Sequence, residues 1–272
     1  MLTRYAERFS LVEVASTFQG IPNRERVVEW AEAVPAGFLF DVVAFGGLTL
    51  HQRRPGDHAP TLKKSWTQLS VEPPDILFAE FKDAIAPLTD SGLLGVVILQ
   101  FPPWFEQGEP GFAYLRRCRE LLGGLPLGIE LRHRSWFEPE ARRNASLDHL
   151  IDLEMALSVA DFPAAGQEAP ALFPYVTFAG VAPLRLHGRA RDSWEKIGAS
   201  AAHVAEYAYS EADLREIAKV ANGLCGEADE VHVIFNVSPA AEAVSAAEML
   251  VDLVEEARRE PDYTAWRHPK SV

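Results

Sequence analysis

A chain of 272 residues, 48% hydrophobic and 24% charged, is long enough for a large α/β core and too apolar to be disordered. Its net charge of −13 excludes wholesale attraction to nucleic acid, although Arg132, His133, Arg134, Arg142 and Arg143 cluster in one stretch. No apolar run reaches the roughly 18 residues of a membrane helix, the N-terminus does not read as a signal peptide, and Cys118 and Cys225 match no metal or redox spacing, so a cytoplasmic protein with two reduced thiols is expected.

Leu2, Tyr5 and Phe9 recur at helical spacing in residues 2–10, and LVEVA (11–15) then reads as a short strand carrying Glu13. Pro22-Asn23 opens a helix whose buried face is Val27, Val28, Trp30, Ala31 and Val34. FLFDVVAF (38–45) is the next strand, with Asp41 inside it. Residues 46–75 form the longest irregular stretch, containing Gly46-Gly47, His51, Arg53-Arg54, His58 and Lys63-Lys64. Loops of that length are either functional or disordered insertions. A helix over 78–88 leads to GVVILQF (95–101), apolar up to Gln100, as suits a parallel strand covered on both faces. Pro102-Pro103-Trp104-Phe105 is a stiff aromatic loop, and residues 110–122 form a helix.

The stretch 127–137, LGIELRHRSWF, alternates Leu127, Ile129 and Leu131 with Gly128, Glu130 and Arg132. A charged pair thus shares one face of a strand expected over 127–136, and it reads either as a structural ion pair or as a polar site at a strand end. A helix over 139–153 follows, then a strand ALSVADF (156–162) ending near Asp161, and a short strand or turn at 175–178. In PLRLHGR, a strand over 184–188, Arg185, His187 and Arg189 alternate with Leu184, Leu186 and Gly188, which places the polar set on one face. Ser210, with Asp213 three residues on, starts a helix with a near capping box. EVHVIF (230–235) is a last strand ending at Asn236, and residues 240–257 form a final helix.

Seven strands alternating with helices predict a parallel α/β architecture. No Gly-rich phosphate loop follows the first strand, which argues against an open doubly wound sheet. Polar residues at successive strand ends suit a TIM-like (β/α) barrel, expected as one domain over 1–259 with a tail at 260–272.

YAERFSLVEVASTF (5–18), LQFPPWF (99–105), ELRHRSWF (130–137), VAD (159–161), RLHGR (185–189) and VIFN (233–236) together resemble, in order, the YecE-like family, catalogued as domain of unknown function 72. The resemblance implies a TIM-like barrel with a polar pocket of unassigned activity. Family members usually open with a strand ending in Gly-Thr-Ser-Gly-Trp, and this chain starts after it, so the barrel is expected to lack its first strand or to open there. An open barrel exposes edges, which favours a homodimer. Asp41 stands near a position where the family commonly carries a lysine, Val237 where a second asparagine is common, and Gln19 where an aromatic residue is frequent.

If the strand ends converge, Glu13, Glu130 and Asp161 face Arg132, Arg185 and His187 across one mouth. His187 is the natural proton-transfer group, with Glu130 and Asp161 as its carboxylate partners, and a satisfied core histidine is the competing reading. Arg132, His133, Arg185 and Arg189 would hold an anionic group, and Gln100 and Asn236 would orient neutral polar groups. Trp104 and Trp136 would wall the site or plug the barrel mouth. Glu130, Asp161 and His187 also offer a ligand set for Mn²⁺ or Mg²⁺, but no local ligand motif supports it and the arginines compete, so no cofactor is expected. The leading expectation is an enzyme acting by general acid–base chemistry on a small anionic or sugar-like substrate. The alternatives are a non-catalytic binder of anions or nucleic-acid ends, and a degenerate barrel without activity.

Overall fold

The computed structural model describes residues 2–51, 72–163, 170–190 and 205–259. Arg53, Arg54, His58, Lys63 and Lys64 of the long irregular stretch, and the tail expected at 260–272, lie outside the described residues. The chain divides into two compact units, residues 1–155 and 156–272.

The first unit runs α1 (Leu2–Ala6), β1 (Leu11–Val14), a 3₁₀ turn (Ser16–Phe18), α2 (Arg24–Glu32), β2 (Leu39–Val43), α3 (Asp75–Asp90), β3 (Leu94–Gln100), α4 (Glu109–Leu121), β4 (Leu127–Glu130), a second 3₁₀ turn (Arg134–Trp136) and α5 (Glu140–Asp152). Asn23 caps α2, its side-chain oxygen accepting the Glu25 N–H at 2.9 Å. Strands β1 to β4 are parallel neighbours in chain order. Glu13 lies opposite Asp41, and Gln100 opposite Glu130. Alternation therefore gathers Glu13, Asp41, Gln100 and Glu130 on one face, while Phe40, Val42, Val97, Leu99, Leu127 and Ile129 are buried on the other.

The second unit runs β5 (Ala156–Leu157), β6 (Val159–Asp161), β7 (Ala182–Leu186), β8 (Ala205–Glu206), α6 (Glu211–Cys225), β9 (Val231–Phe235), β10 (Val237–Ser238) and α7 (Ala240–Arg259). Strands β6, β7 and β9 form a parallel sheet, and β8 pairs with β10. Val159, Leu184 and Leu186 pack with Leu214, Ile217, Leu250 and Leu253 of α6 and α7 in one core, joined by Val233 and Phe235. The opposite face of this sheet carries Ala160, Arg185 and Ile234.

Both units are built from parallel β/α repeats, so the protein is an α/β protein of the TIM-like class. Some local bounds differ. The strand expected over 127–136 stops at Glu130, where the chain turns towards the 3₁₀ segment, and the strand expected over 156–162 breaks at Ser158. Of the short strand or turn expected at 175–178 no strand forms, and the two-residue strands β8 and β10 carry too short a pattern to read. Among the described residues no helix is long and apolar enough to cross a membrane.

Candidate functional site

In the first unit the polar groups collect at the C-terminal ends of the strands. Glu130 is the last residue of β4, and its Oε1 accepts the Arg132 Nε–H at 2.6 Å, with the two side chains 0% and 2% exposed. Ions removed from water this completely hold only when they are paired and hydrogen-bonded. Asp41 is also fully buried, and its Oδ1 accepts the Val96 N–H at 3.0 Å where the β2–β3 pairing slips register. The carboxylate near the family's lysine position thus serves a backbone irregularity. Glu13 is half-buried on the same face, beside Asp41.

The segment after β2 brings in a group that the sequence left inside a long loop. Gly46 donates its N–H to the Phe18 carbonyl, and a Cβ added there would lie 2.8 Å from the Phe18 ring, so only glycine lets the chain approach. The chain then folds back, with the His51 N–H on the Gly46 carbonyl at 2.9 Å and Leu50 in the left-handed region at φ 66°. This places the His51 imidazole edge-on to Phe18 and Trp104, with ring centres 4.9 and 6.0 Å away, and its Nδ1 3.0 Å from Thr49 Oγ1. Burial first, and then the Arg132 charge, pull its pKa down to about 3, with Thr49 and Glu130 opposing them. His51 is therefore a neutral imidazole at pH 7.

His133 and Trp136 serve the loop after β4. The Nδ1 of His133 accepts the Ser135 N–H and lies 2.8 Å from Ser135 Oγ, which caps the 3₁₀ turn. The Trp136 indole donates to the Phe105 carbonyl at 2.6 Å and stacks on the Phe105 ring at 5.2 Å.

In the second unit the sequence-selected residues divide between the two faces. Arg185 and His187, 1% and 2% exposed, lie at the C-terminal end of β7 on the face away from the helical core. The His187 ring stacks on Phe162 at 5.0 Å, 9° from parallel, and its Nδ1 is 3.1 Å from the Asn236 amide nitrogen. An amide N–H only donates, so Nδ1 accepts and the neutral imidazole carries its proton on Nε2.

Asp161 and Arg189 do not join them. Asp161 lies opposite Leu186 and shares the helical-core face with Val159. There it accepts the Tyr209 hydroxyl at 2.8 Å and the Arg189 Nε–H at 2.9 and 3.1 Å. The expected alternation of Arg185, His187 and Arg189 fails because β7 ends at Leu186 and Gly188 adopts φ 80°. A Cβ on Gly188 would stand 2.7 Å from the Tyr207 Cβ, and the Gly188 N–H donates to the Tyr209 hydroxyl at 2.9 Å. The reversed chain sends Arg189 to Asp161 and onward to Asp213 and Glu216 at 2.8 and 2.9 Å. Burial works against the Arg189 charge, but hydrogen bonds and charges from Asp161, Glu216 and Asp213 outweigh it and raise its pKa. Burial and the neighbouring Asp161 likewise raise the Tyr209 phenol. Tyr209, Asp213 and Glu216 carry no motif of their own, and only the capping-box pattern at Ser210 hinted that this helix start is built with care.

Among the described residues no group of three or more His, Cys, Asp or Glu side chains is placed to hold a metal ion. The ligand set weighed from the sequence is divided, since Asp161 and His187 point to opposite faces of one sheet.

Parallel β/α units with buried polar groups at their strand ends define a TIM-like α/β protein. More particularly, the chain belongs to the family described as Protein of unknown function DUF72, whose model matches residues 1–270. It is 28% identical over 257 residues to the UPF0759 protein YunF of Bacillus subtilis (strain 168), covering 93% of this chain and 86% of that protein. It is also similar to the crystal structure of a DUF72 family protein from Enterococcus faecalis V583, with TM-score 0.80, 27% identity, and 94% and 93% of the two chains covered. A DUF72 family protein from Thermotoga maritima MSB8 shares the fold, with TM-score 0.72, 24% identity, and 91% and 85% covered. The family resemblance read from the six ordered motifs is borne out.

Proposed function

We propose that this protein is an enzyme acting on a small anionic or sugar-like substrate by general acid–base chemistry, with His187 as the proton-transfer group. The observation that carries the reading is the oriented imidazole at the end of β7: His187 is stacked on Phe162 and fixed through Nδ1 by Asn236, so that its proton sits on Nε2. Fixing Nδ1 in this way leaves the Nε2–H as the donor that the neutral ring can offer to a substrate oxygen. Arg185, two residues earlier on the same face, is a buried guanidinium, whose five donors can serve an anionic group of a ligand besides a protein partner. The strand-end location supports the same reading, since parallel β/α proteins carry their chemistry at the C-terminal ends of strands.

The test is turnover. The full chain is incubated in D₂O with sugar phosphates, sugar acids and neutral sugars, and proton NMR follows product formation or exchange of substrate hydrogens for deuterium. The expected result is turnover of at least one compound class, lost in His187→Gln and weakened in Arg185→Lys. Turnover that survives His187→Gln, or binding of a panel member with no turnover by the wild type, would overturn it.

A further inference from the structure

The strand ends of the first unit carry a group that the acid–base reading does not use. His51 Nε2 is shut off from solvent and has no hydrogen-bond partner among the described residues. Burial of a polar atom in that state works against folding. The backbone that delivers it is strained as well, since Leu50 is a branched residue at φ 66°. A residue with a Cβ is disfavoured there. Packing alone would favour glycine at position 50 and an apolar side chain at position 51. The two costs fall on adjacent residues, and both serve to hold one imidazole beside the candidate site.

The surroundings restrict what that atom can meet. The Thr49 hydroxyl donates to the Gly46 carbonyl at 3.4 Å and so accepts the His51 Nδ1–H at 3.0 Å, which leaves Nε2 with a lone pair that takes a donor. Arg132, whose charge acts on the imidazole, is bound to Glu130. A carboxylate or a fully ionised phosphate brings no proton for a lone pair. A cationic donor would instead meet the Arg132 charge, which already acts on the imidazole. A neutral hydroxyl meets neither objection. Phe18 and the half-buried Trp104 flank the imidazole with apolar ring surface, suited to the C–H face of a molecule whose edge carries hydroxyls.

We infer that the C-terminal strand ends of the first unit form a binding site for a neutral sugar or other polyol, with one hydroxyl donating to His51 Nε2 and the carbon skeleton against Phe18 and Trp104. This goes beyond the proposed function, whose residues lie at the end of β7 in the second unit. It assigns to His51 the part of a neutral acceptor that binds and orients.

The test uses the full chain with ¹⁵N-labelled histidine and long-range proton–nitrogen spectra of the imidazoles. The probes are D-fructose, D-xylose and xylitol, each titrated separately, with inorganic phosphate as the anionic control. In the free protein the His51 Nε2 resonance is expected at an acceptor-type position. A neutral probe is expected to move it saturably, whereas phosphate leaves it in place. In His51→Phe the affinity for that probe should fall by about tenfold, the loss of one well-made hydrogen bond. A proton resident on His51 Nε2, a response to phosphate alone, or no response to any neutral probe would overturn the inference. The wild-type spectrum decides the matter even if the variant folds poorly. A sugar that moves His51 without being turned over upholds this site and removes the acid–base reading. Turnover of a sugar that leaves His51 unmoved does the reverse.

Discussion

The two sets of strand ends bury similar side chains and treat their charge in opposite ways. In the first unit the arginine is cancelled where it stands, with Arg132 on Glu130 and further carboxyls on the same face. In the second unit the carboxylate and the cation are sorted between faces: Arg185 and His187 lie on one side of the sheet, while Asp161 holds Arg189 on the other. Strand register places Asp161 and Arg185 on opposite faces, and a left-handed glycine, Gly188, sends Arg189 to Asp161. One set of strand ends thus carries an ion pair and the other a guanidinium and an imidazole on one face, although the residue types at the two places are nearly the same. Composition at strand ends does not set their chemistry. Pairing and side-chain parity do.

The contrast predicts graded losses. Arg132→Ala should be the most damaging, since it leaves Glu130 buried without its ion, and a loss of about 3–5 kcal/mol is expected in denaturant melts. The double variant Glu130→Gln with Arg132→Met should recover most of that loss, because it removes both charges from the interior. Equal damage from both would mean that the pair is not self-cancelling.

The pH dependence of stability should come next. His51 has its pKa lowered from 6.5 to about 3. The unfolded chain therefore binds a proton at His51 that the folded chain refuses, and the sign follows: this contribution is complete above pH 6.5 and is lost as pH falls through the window towards 3. Linkage makes the loss roughly 3–5 kcal/mol over that window. His51→Phe should flatten the acid side of the stability curve, and an unchanged curve would mean that the imidazole is already charged in the folded protein.

Effects in the second unit should be smaller, because Arg189 keeps two partners. Asp161→Asn should cost about 1.5–3 kcal/mol through weakened hydrogen bonds to Arg189 and Tyr209 and should leave His187 turnover largely intact. Abolished turnover with unchanged stability would place Asp161 in the chemistry and erase the sorting between faces. The mildest expected change is Ser210→Ala. The capping box joins Ser210 and Asp213 at the start of α6, and loss of such a cap costs about 1 kcal/mol in a thermal melt.

What could be read in the sequence follows the same physics. Strands β1, β2, β3 and β9 and the helix behind Ser210 were legible because apolar periodicity and capping residues are local signals. The Glu130–Arg132 pair was legible from its spacing of two within a strand. The face of Asp161 was not, because ALSVADF is apolar at almost every position and offers no contrast to assign its sides. Arg189 was misplaced because strict alternation was carried past Gly188, where the strand has already ended. His51 was hidden in a stretch with no period, and its position depends on a turn that closes on Phe18 from a distant segment. Tertiary closure of that kind leaves no mark in local pattern.

The most direct measurement of the central claim is the protonation state of the His187 ring, read from long-range proton–nitrogen spectra of the full chain above the pH at which that ring titrates, in wild type and in Asn236→Ala. The expected wild-type result is a proton on Nε2 with Nδ1 as the acceptor, and a mixture of the two forms once the Asn236 amide is gone. A wild-type proton on Nδ1, or a ring indifferent to Asn236, would contradict it.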